Sequence, residues 1–334
     1  EQQLDLRVEQ REAALDRPVA GARRREQRRD VPRDHALRDQ RRGLKQFEAS
    51  KDETAETLTV ISSRDLNVSQ IPQQTWENRV LAYTHGYGVA VANASAVGPS
   101  GDPDFIVQDI PINVEDGIDA KVDQPFLYFG EFPTGANTYA IADTLREEVA
   151  YVDRNSNTVY ARYQGDGGVV LDSWLRKAAF ALRFADWNPL LSNFVTDQSK
   201  LIYLRDVHER VTEAAPFLDW DANPYPVMAN GRIVYLIDGY TTTPFYPNSQ
   251  IANPDGVPDR STLDAHKFNY IRNSVKASVD AYDGTIKIYV WDTKDPIIAA
   301  YQSAFPTLFS SSDQMPAELF QHVRYPEDLF RVQT

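Results

Sequence analysis

The chain has 334 residues, 42% hydrophobic and 11% aromatic, which is ample material for one large or two modest cores. Its formal charge is −13, so the body is expected to repel phosphate backbones and anionic lipid surfaces, and no nucleic-acid partner is expected. The absence of cysteine excludes disulfides, thiolate metal sites and thiol nucleophiles.

Residues 1–42 hold 12 Arg against 9 acidic residues and no Phe, Tyr, Trp or Ile, leaving 23 basic and 39 acidic residues, net −16, for the remainder. Such a segment buries too little apolar surface to offset its ordering entropy, so 1–43 is expected to be a disordered or aberrant basic stretch. No window approaches the ~18 to 20 apolar residues that span a bilayer. The first residues also lack the apolar stretch of a signal peptide, so any passage across a membrane is expected to depend on sequence upstream of Glu1.

The remainder, 44–334, reads as α+β, with mixed, mainly antiparallel strands and interspersed helices. Strands are predicted over 80–91, 105–110 and 126–129. Ser173 or Asp172 caps a helix reaching about Ala185, whose stripe of Leu171, Trp174, Leu175, Ala178, Leu182 and Ala185, widened by Phe180 and Phe184, predicts a largely buried element. Asp206 with Glu209 is a capping signal for a helix that ends before Pro216, and on it His208 falls on the solvent side. Asn230-Gly231 predicts a hairpin pairing Val227 with Val234 and Met228 with Ile233.

Asp283-Gly284 predicts a second hairpin with a two-residue type I′ turn, placing Ala281 opposite Ile286, Val279 opposite Ile288 and Asp280 opposite Lys287. Asp295-Pro296 opens a helix that stops before Pro306, and a short helix is predicted over 315–323. The proline-rich stretches 216–226 and 244–258 read as loops.

Several segments resemble one known family. From Trp76 the chain reads WENRVLAYTHGYGVAVANASAVGPSGDPDFIVQDIP, and PFLYFGE (125–131), GDGGVVLDSWLRKAAFALRFAD (165–186), RDVHERVTEAAPFLDWDANPYPVMANGRIVYLIDGYTT (205–242) and MPAELFQHVRYPEDLFRVQ (315–333) follow in order. Over roughly 44–334 this wording is similar to the uncharacterised protein family 0182 (UPF0182), large bacterial proteins with N-terminal membrane-spanning helices, an extracytoplasmic region and no established activity. The resemblance implies a fragment of that extracytoplasmic region, at the plasma membrane, whose membrane partner is the family's missing helices. It also implies chain beyond Thr334, so Phe320, Leu329 and Phe330 are expected to be partly uncovered. The resemblance stops at the front of the chain, which marks 1–43 as a mis-joined or out-of-frame stretch.

The chemistry-bearing residues are sparse. His85, in Thr84-His85-Gly86-Tyr87-Gly88, is the first binding candidate, with Tyr87 beside it, because a glycine-interrupted strand can aim an imidazole. Its spacing is like an esterase oxyanion loop, but no G-x-S-x-G elbow accompanies it. Gly165-Asp166-Gly167-Gly168 lacks the ending of a phosphate loop and reads as a turn. Asp219, Asp221 and Asn223 open like a calcium loop, which then fails at Pro224 and Asn230. The five histidines show no zinc spacing, so no metal and no cofactor is expected.

Glu131 and Asp238 follow aromatic-rich strands, a setting that raises a carboxyl pKa and binds sugar rings. Three readings remain open: a non-enzymatic extracytoplasmic module, an envelope-glycan hydrolase or lyase using these residues, and a ligand-sensing or substrate-delivering domain of a transporter-like protein.

Overall fold

The structure is a computed structural model that describes residues 43–49, 54–71, 73–115, 121–131, 139–153, 155–252 and 256–334. The segment expected to be disordered or aberrant therefore lies, up to residue 42, outside the described residues. β1 (Gly43–Ala49) and β2 (Thr54–Ser63) pair antiparallel. A short strand, β3 (Gly86–Tyr87), precedes β4 (Val89–Val97), which joins β2 and carries the sheet to β5 (Pro103–Gln108) and β6 (Asn113–Val114).

The strand predicted over 80–91 starts late. Asn78–Ala82 instead form one π-helical turn that buries Val80, Leu81 and Ala82, held where the Tyr83 amide donates to the Asn78 carbonyl at 2.9 Å. β7 (Phe126–Leu127) pairs with β3, antiparallel.

β8 (Tyr139–Ala142) is followed by the hairpin of β9 (Glu148–Val152) and β10 (Thr158–Ala161), and β11 (Val169–Val170) leads into α1 (Trp174–Arg183). Ser173, not Asp172, caps α1: its hydroxyl accepts from the Arg176 amide at 3.3 Å. After α2 (Asn188–Leu191), β12 (Lys200–Tyr203) lies between β11 and β8. The expectation of a largely buried α1 is wrong. Ala181 is buried, and the half-buried Phe180, with Phe184 just beyond, packs against Val80, Ile141, Leu171 and Leu201, whereas Trp174, Leu175 and Leu182 are exposed. A periodic stripe records that side chains share a face, not that another element covers it.

The capping reading holds for α3 (Val207–Ala214), where Asp206 accepts from the amides of His208 and Glu209, both at 3.0 Å. The largest sheet then assembles from β13 (Asp219–Trp220), β14 (Tyr225–Ala229), β15 (Arg232–Thr243), β16 (Tyr270–Asp280) and β17 (Ile286–Val290). α4 (Pro296–Ala304) separates β17 from β18 (Phe309–Ser311), which joins β17 in parallel. α5 (Ala317–Gln321) and α6 (Glu327–Gln333) close the chain. Phe320 and Phe330 are exposed and Leu329 is half-buried.

The two hairpins fare differently. At Asn230-Gly231, φ is positive at both residues and Val227 faces Val234, as the turn chemistry predicts. At Asp283-Gly284 only Gly284 has positive φ, and the register is Val279 with Ile286, Ser278 with Lys287 and Ala277 with Ile288. The predicted pairs Ala281–Ile286, Val279–Ile288 and Asp280–Lys287 do not form.

The turn is longer because the Asp280 carboxylate accepts from the amides of Tyr282 (2.8 Å) and Asp283 (3.1 Å), and the Gly284 amide returns to the Asp280 carbonyl at 2.9 Å. A slip of two residues leaves each side chain on its predicted face. The core runs continuously from Ile61, Val89, Val91 and Val107 of the first sheet to Tyr235, Ile237, Val275 and Val279 of the largest one.

Candidate functional site

Where β3, β7, β9 and the β12–α3 joint meet, the core contains polar groups that must be satisfied internally. Glu148, on β9, is buried and accepts from the Thr84 hydroxyl, the Tyr128 phenol (2.7 Å) and the amides of Tyr163 (3.1 Å) and Asp143 (3.4 Å). Burial still pushes its pKa up. Arg205 enters the same region fully buried, donating from Nε to the Tyr128 carbonyl at 2.8 Å and from Nη2 to the Thr84 carbonyl. Desolvation draws the guanidinium down to about 10, and the nearby Tyr128, Asp65 and Glu148 oppose it.

His85 stands at the edge of this network, only 3% exposed. Its Nδ1 is 3.0 Å from the Gly86 carbonyl, which can only accept, so Nδ1 carries the proton, and Nε2 has no hydrogen-bond partner among the described residues. The ring lies against Phe126 (4.5 Å between centroids) and Tyr128 (4.9 Å). Burial first, and then the Arg205 charge, lower its pKa to about 4, so the imidazole is neutral at physiological pH. Tyr87 is half-buried and packs edge-on against Phe126 (5.7 Å) and Tyr151 (5.2 Å). His85 and Tyr87 thus share Phe126 between them.

Glu131 belongs to a neighbouring group. Its carboxylate is 4.0 Å from Arg260, whose Nη2 donates to both Asp206 oxygens at 2.6 and 2.5 Å. Asp206 therefore caps α3 and at the same time holds the loop that carries Arg260. Behind Glu131 is Asp65, half-buried, accepting from the Ser63 hydroxyl at 2.8 Å and weakly from the Tyr235 phenol at 3.4 Å. Burial, reinforced by the Glu131 charge, raises Asp65 to about 7. Gly130 makes this approach geometrically feasible, since a β-carbon there would collide with the Asp65 carboxylate. Asp65 thus holds its proton up to neutrality, with the Glu131 charge reinforcing the effect of burial.

His208 also belongs here, and it corrects the expectation of a solvated residue: it is 6% exposed. The imidazole bonds the backbone of Trp220 and lies near Arg260 and Asp206, so the buried face of α3 extends from Val207 and Val211 to His208, while Glu209 and Glu213 stay exposed. Burial and then Arg260 lower its pKa to about 4.

Asp238 lies in a third, separate group on β15. It is buried and ion-paired with Lys276 of β16, and Asn273 Nδ2 donates to it at 3.2 Å. Burial raises its pKa while Lys276 counters the rise. The Lys276 ammonium also sits 5.2 Å from the Trp291 ring centroid. Asp219 and Asp221 likewise serve internal bonds: Asp219 accepts from Thr242 (2.6 Å), and Asp221 from Tyr240 (2.7 Å) and the Asp328 amide (3.0 Å).

The four candidates do not converge on one point. Asp65, Glu148, Arg205 and Arg260 carry the polar chemistry, and no local motif marks any of them. Asp206 was legible through its capping signal, and Glu131 and His85 through the strands beside them.

Comparison with known proteins places these features in a lineage. The profile of "Uncharacterised protein family (UPF0182)" matches residues 46–334. UPF0182 proteins of Desulforamulus reducens and Moorella thermoacetica are 40% and 41% identical over 278 and 281 residues, covering 82% and 83% of this chain but 28% and 29% of theirs. That of Caldicellulosiruptor saccharolyticus is 37% identical over 313 residues, 91% of this chain and 32% of its own. The chain spans under a third of the length of these curated relatives. No solved structure matches it significantly.

Proposed function

Because the chain belongs to the uncharacterised protein family UPF0182, we propose that it is a non-enzymatic, extracytoplasmic module of a larger integral membrane protein of the plasma membrane. The observation that carries this reading is the commitment of the candidate side chains to the fold. Asp238 is paired with Lys276, His85 is held neutral behind Phe126 and Tyr128, and Tyr87 is packed between two rings. The small share of its relatives' length that it spans supports a module of something larger.

A cysteine-free chain makes the test direct. Ala300→Cys, at an exposed position of α4, is placed in a full-length relative freed of its own cysteines and treated in intact cells with a membrane-impermeant maleimide. Labelling of intact cells is expected, and labelling only after lysis would overturn the extracytoplasmic assignment.

The Asp65–Glu131 pair favours a second reading, a hydrolase or lyase acting on envelope glycan, because one carboxyl held near 7 beside another is the arrangement of a general acid and its partner. Cleavage of envelope-glycan fragments by the wild-type chain, abolished in Glu131→Gln, would establish it over the first.

A further inference from the structure

α1 and α2 present an apolar surface that the fold leaves open. Trp174, Leu175 and Leu182 of α1 are 69%, 70% and 73% exposed, and Trp187 and Leu191 at α2 are 59% and 77% exposed. With a 100° step per residue, Trp174, Ala178, Leu182 and Leu175 form one continuous stripe of α1, and Arg183 and Arg176 come next around the helix. Phe180 occupies the opposite side, toward the body, and the buried Ala181 and half-buried Ala178 flank the exposed Trp174. Among the described residues nothing covers the outward stripe, and a monomer does not ordinarily display one so concentrated.

We infer that this face lies on a lipid bilayer, α1 in the plane of the interface with its leucines among the acyl chains and its guanidiniums at the phosphate level. The chemistry of the face selects that occupant. With Phe194 included, the exposed large side chains are three leucines, two tryptophans and one phenylalanine, an apolar set that an acyl layer accepts. Tryptophan beside leucine with arginine at the border is the composition of an interfacial helix.

Charge agrees. The chain as a whole is acidic, yet α1 contains Arg176, Lys177 and Arg183 and no carboxylate, so this helix itself carries no group that a phosphate surface repels. Asp172 and Asp197 pair with Arg176 and Lys177 from outside the helix, while the Arg183 guanidinium rests on the rings of Phe184 and Tyr203, 5.8 and 5.5 Å from their centroids.

The test uses the purified 334-residue chain floated with vesicles of phosphatidylcholine containing phosphatidylglycerol. The wild type is expected to float, with a blue shift of tryptophan emission. Leu182→Glu and, separately, Leu191→Glu should each weaken binding by about tenfold or more at unchanged thermal midpoint, since both positions are exposed. Phe245→Ser, which removes an exposed apolar residue outside this face, should change nothing.

Failure of the wild type to float overturns the inference, as does flotation insensitive to both glutamates or equally sensitive to Phe245→Ser. Self-association without flotation, abolished by Leu182→Glu, would assign the face to a second copy of the chain instead. The inference rests on the surface of α1 and α2 alone, so the labelling of Ala300→Cys and the flotation can fail independently.

Discussion

Gly284 lies directly against the ring of Phe129: a β-carbon at residue 284 would stand 2.5 Å from Cζ, and its φ is +72°. The contact joins the β16–β17 turn to the segment that follows β7, and residue 284 is therefore constrained twice, by backbone conformation and by space.

Gly284→Ala should destabilise the fold by about 2 kcal/mol or more, combining the strain of a left-handed alanine with overpacking. Denaturant unfolding with an unchanged m-value would register it. A stability equal to wild type would mean that the turn relaxes away from Phe129.

Asp65 makes stability fall as pH rises. Between about pH 4 and 7 the folded chain keeps a proton that the unfolded chain has already released, so this contribution is complete below pH 4 and lost above 7. Relative to wild type, Asp65→Asn should gain stability progressively across that window, by an amount on the order of 4 kcal/mol at most. Unfolding curves collected from pH 4 to 8 decide it, and a difference independent of pH would show that the carboxyl is not desolvated.

His85 acts in the opposite sense. From pH 6.5 down to about 4 the unfolded chain binds a proton that the buried imidazole refuses, so stability present above 6.5 is lost as pH falls through 4. His85→Gln should remove on the order of 3 kcal/mol of that dependence, leaving a flatter acid limb. An acid limb as steep as wild type would place the proton uptake elsewhere, with His208 the first alternative.

Lys276→Met should cost about 3 to 5 kcal/mol, because it strands the Asp238 carboxylate in the core. The double variant Lys276→Met with Asp238→Asn should recover part of that loss, since the buried charge is gone. A double-mutant cycle from thermal or denaturant melts measures the coupling, and additive losses would show that the two groups do not depend on one another.

Local chemistry made much of the fold legible. Asn230-Gly231 specifies its own turn because both residues tolerate positive φ, and Asp206 and Asp295 announce helices because a carboxylate can accept from the first free amides. Alternation placed Val279, Ile286 and Ile288 on one face of the second hairpin, and this survived a register error of two residues because the side-chain period is also two.

What the sequence by itself determined was family, α+β class, antiparallel pairing, and the caps and turns whose cause lies within four or five residues. Only the tertiary structure decided the length of the Asp280–Thr285 turn, the burial of His208, the exposure of α1, and the assembly of Asp65, Glu131, Asp206 and Arg260. Each of these depends on what a distant segment places opposite a residue. Arg260 reaches Asp206 from 54 positions away, and Tyr235 reaches Asp65 from 170. Desolvation, the largest influence on Asp65, His85 and His208 alike, exists only once those segments have closed around them.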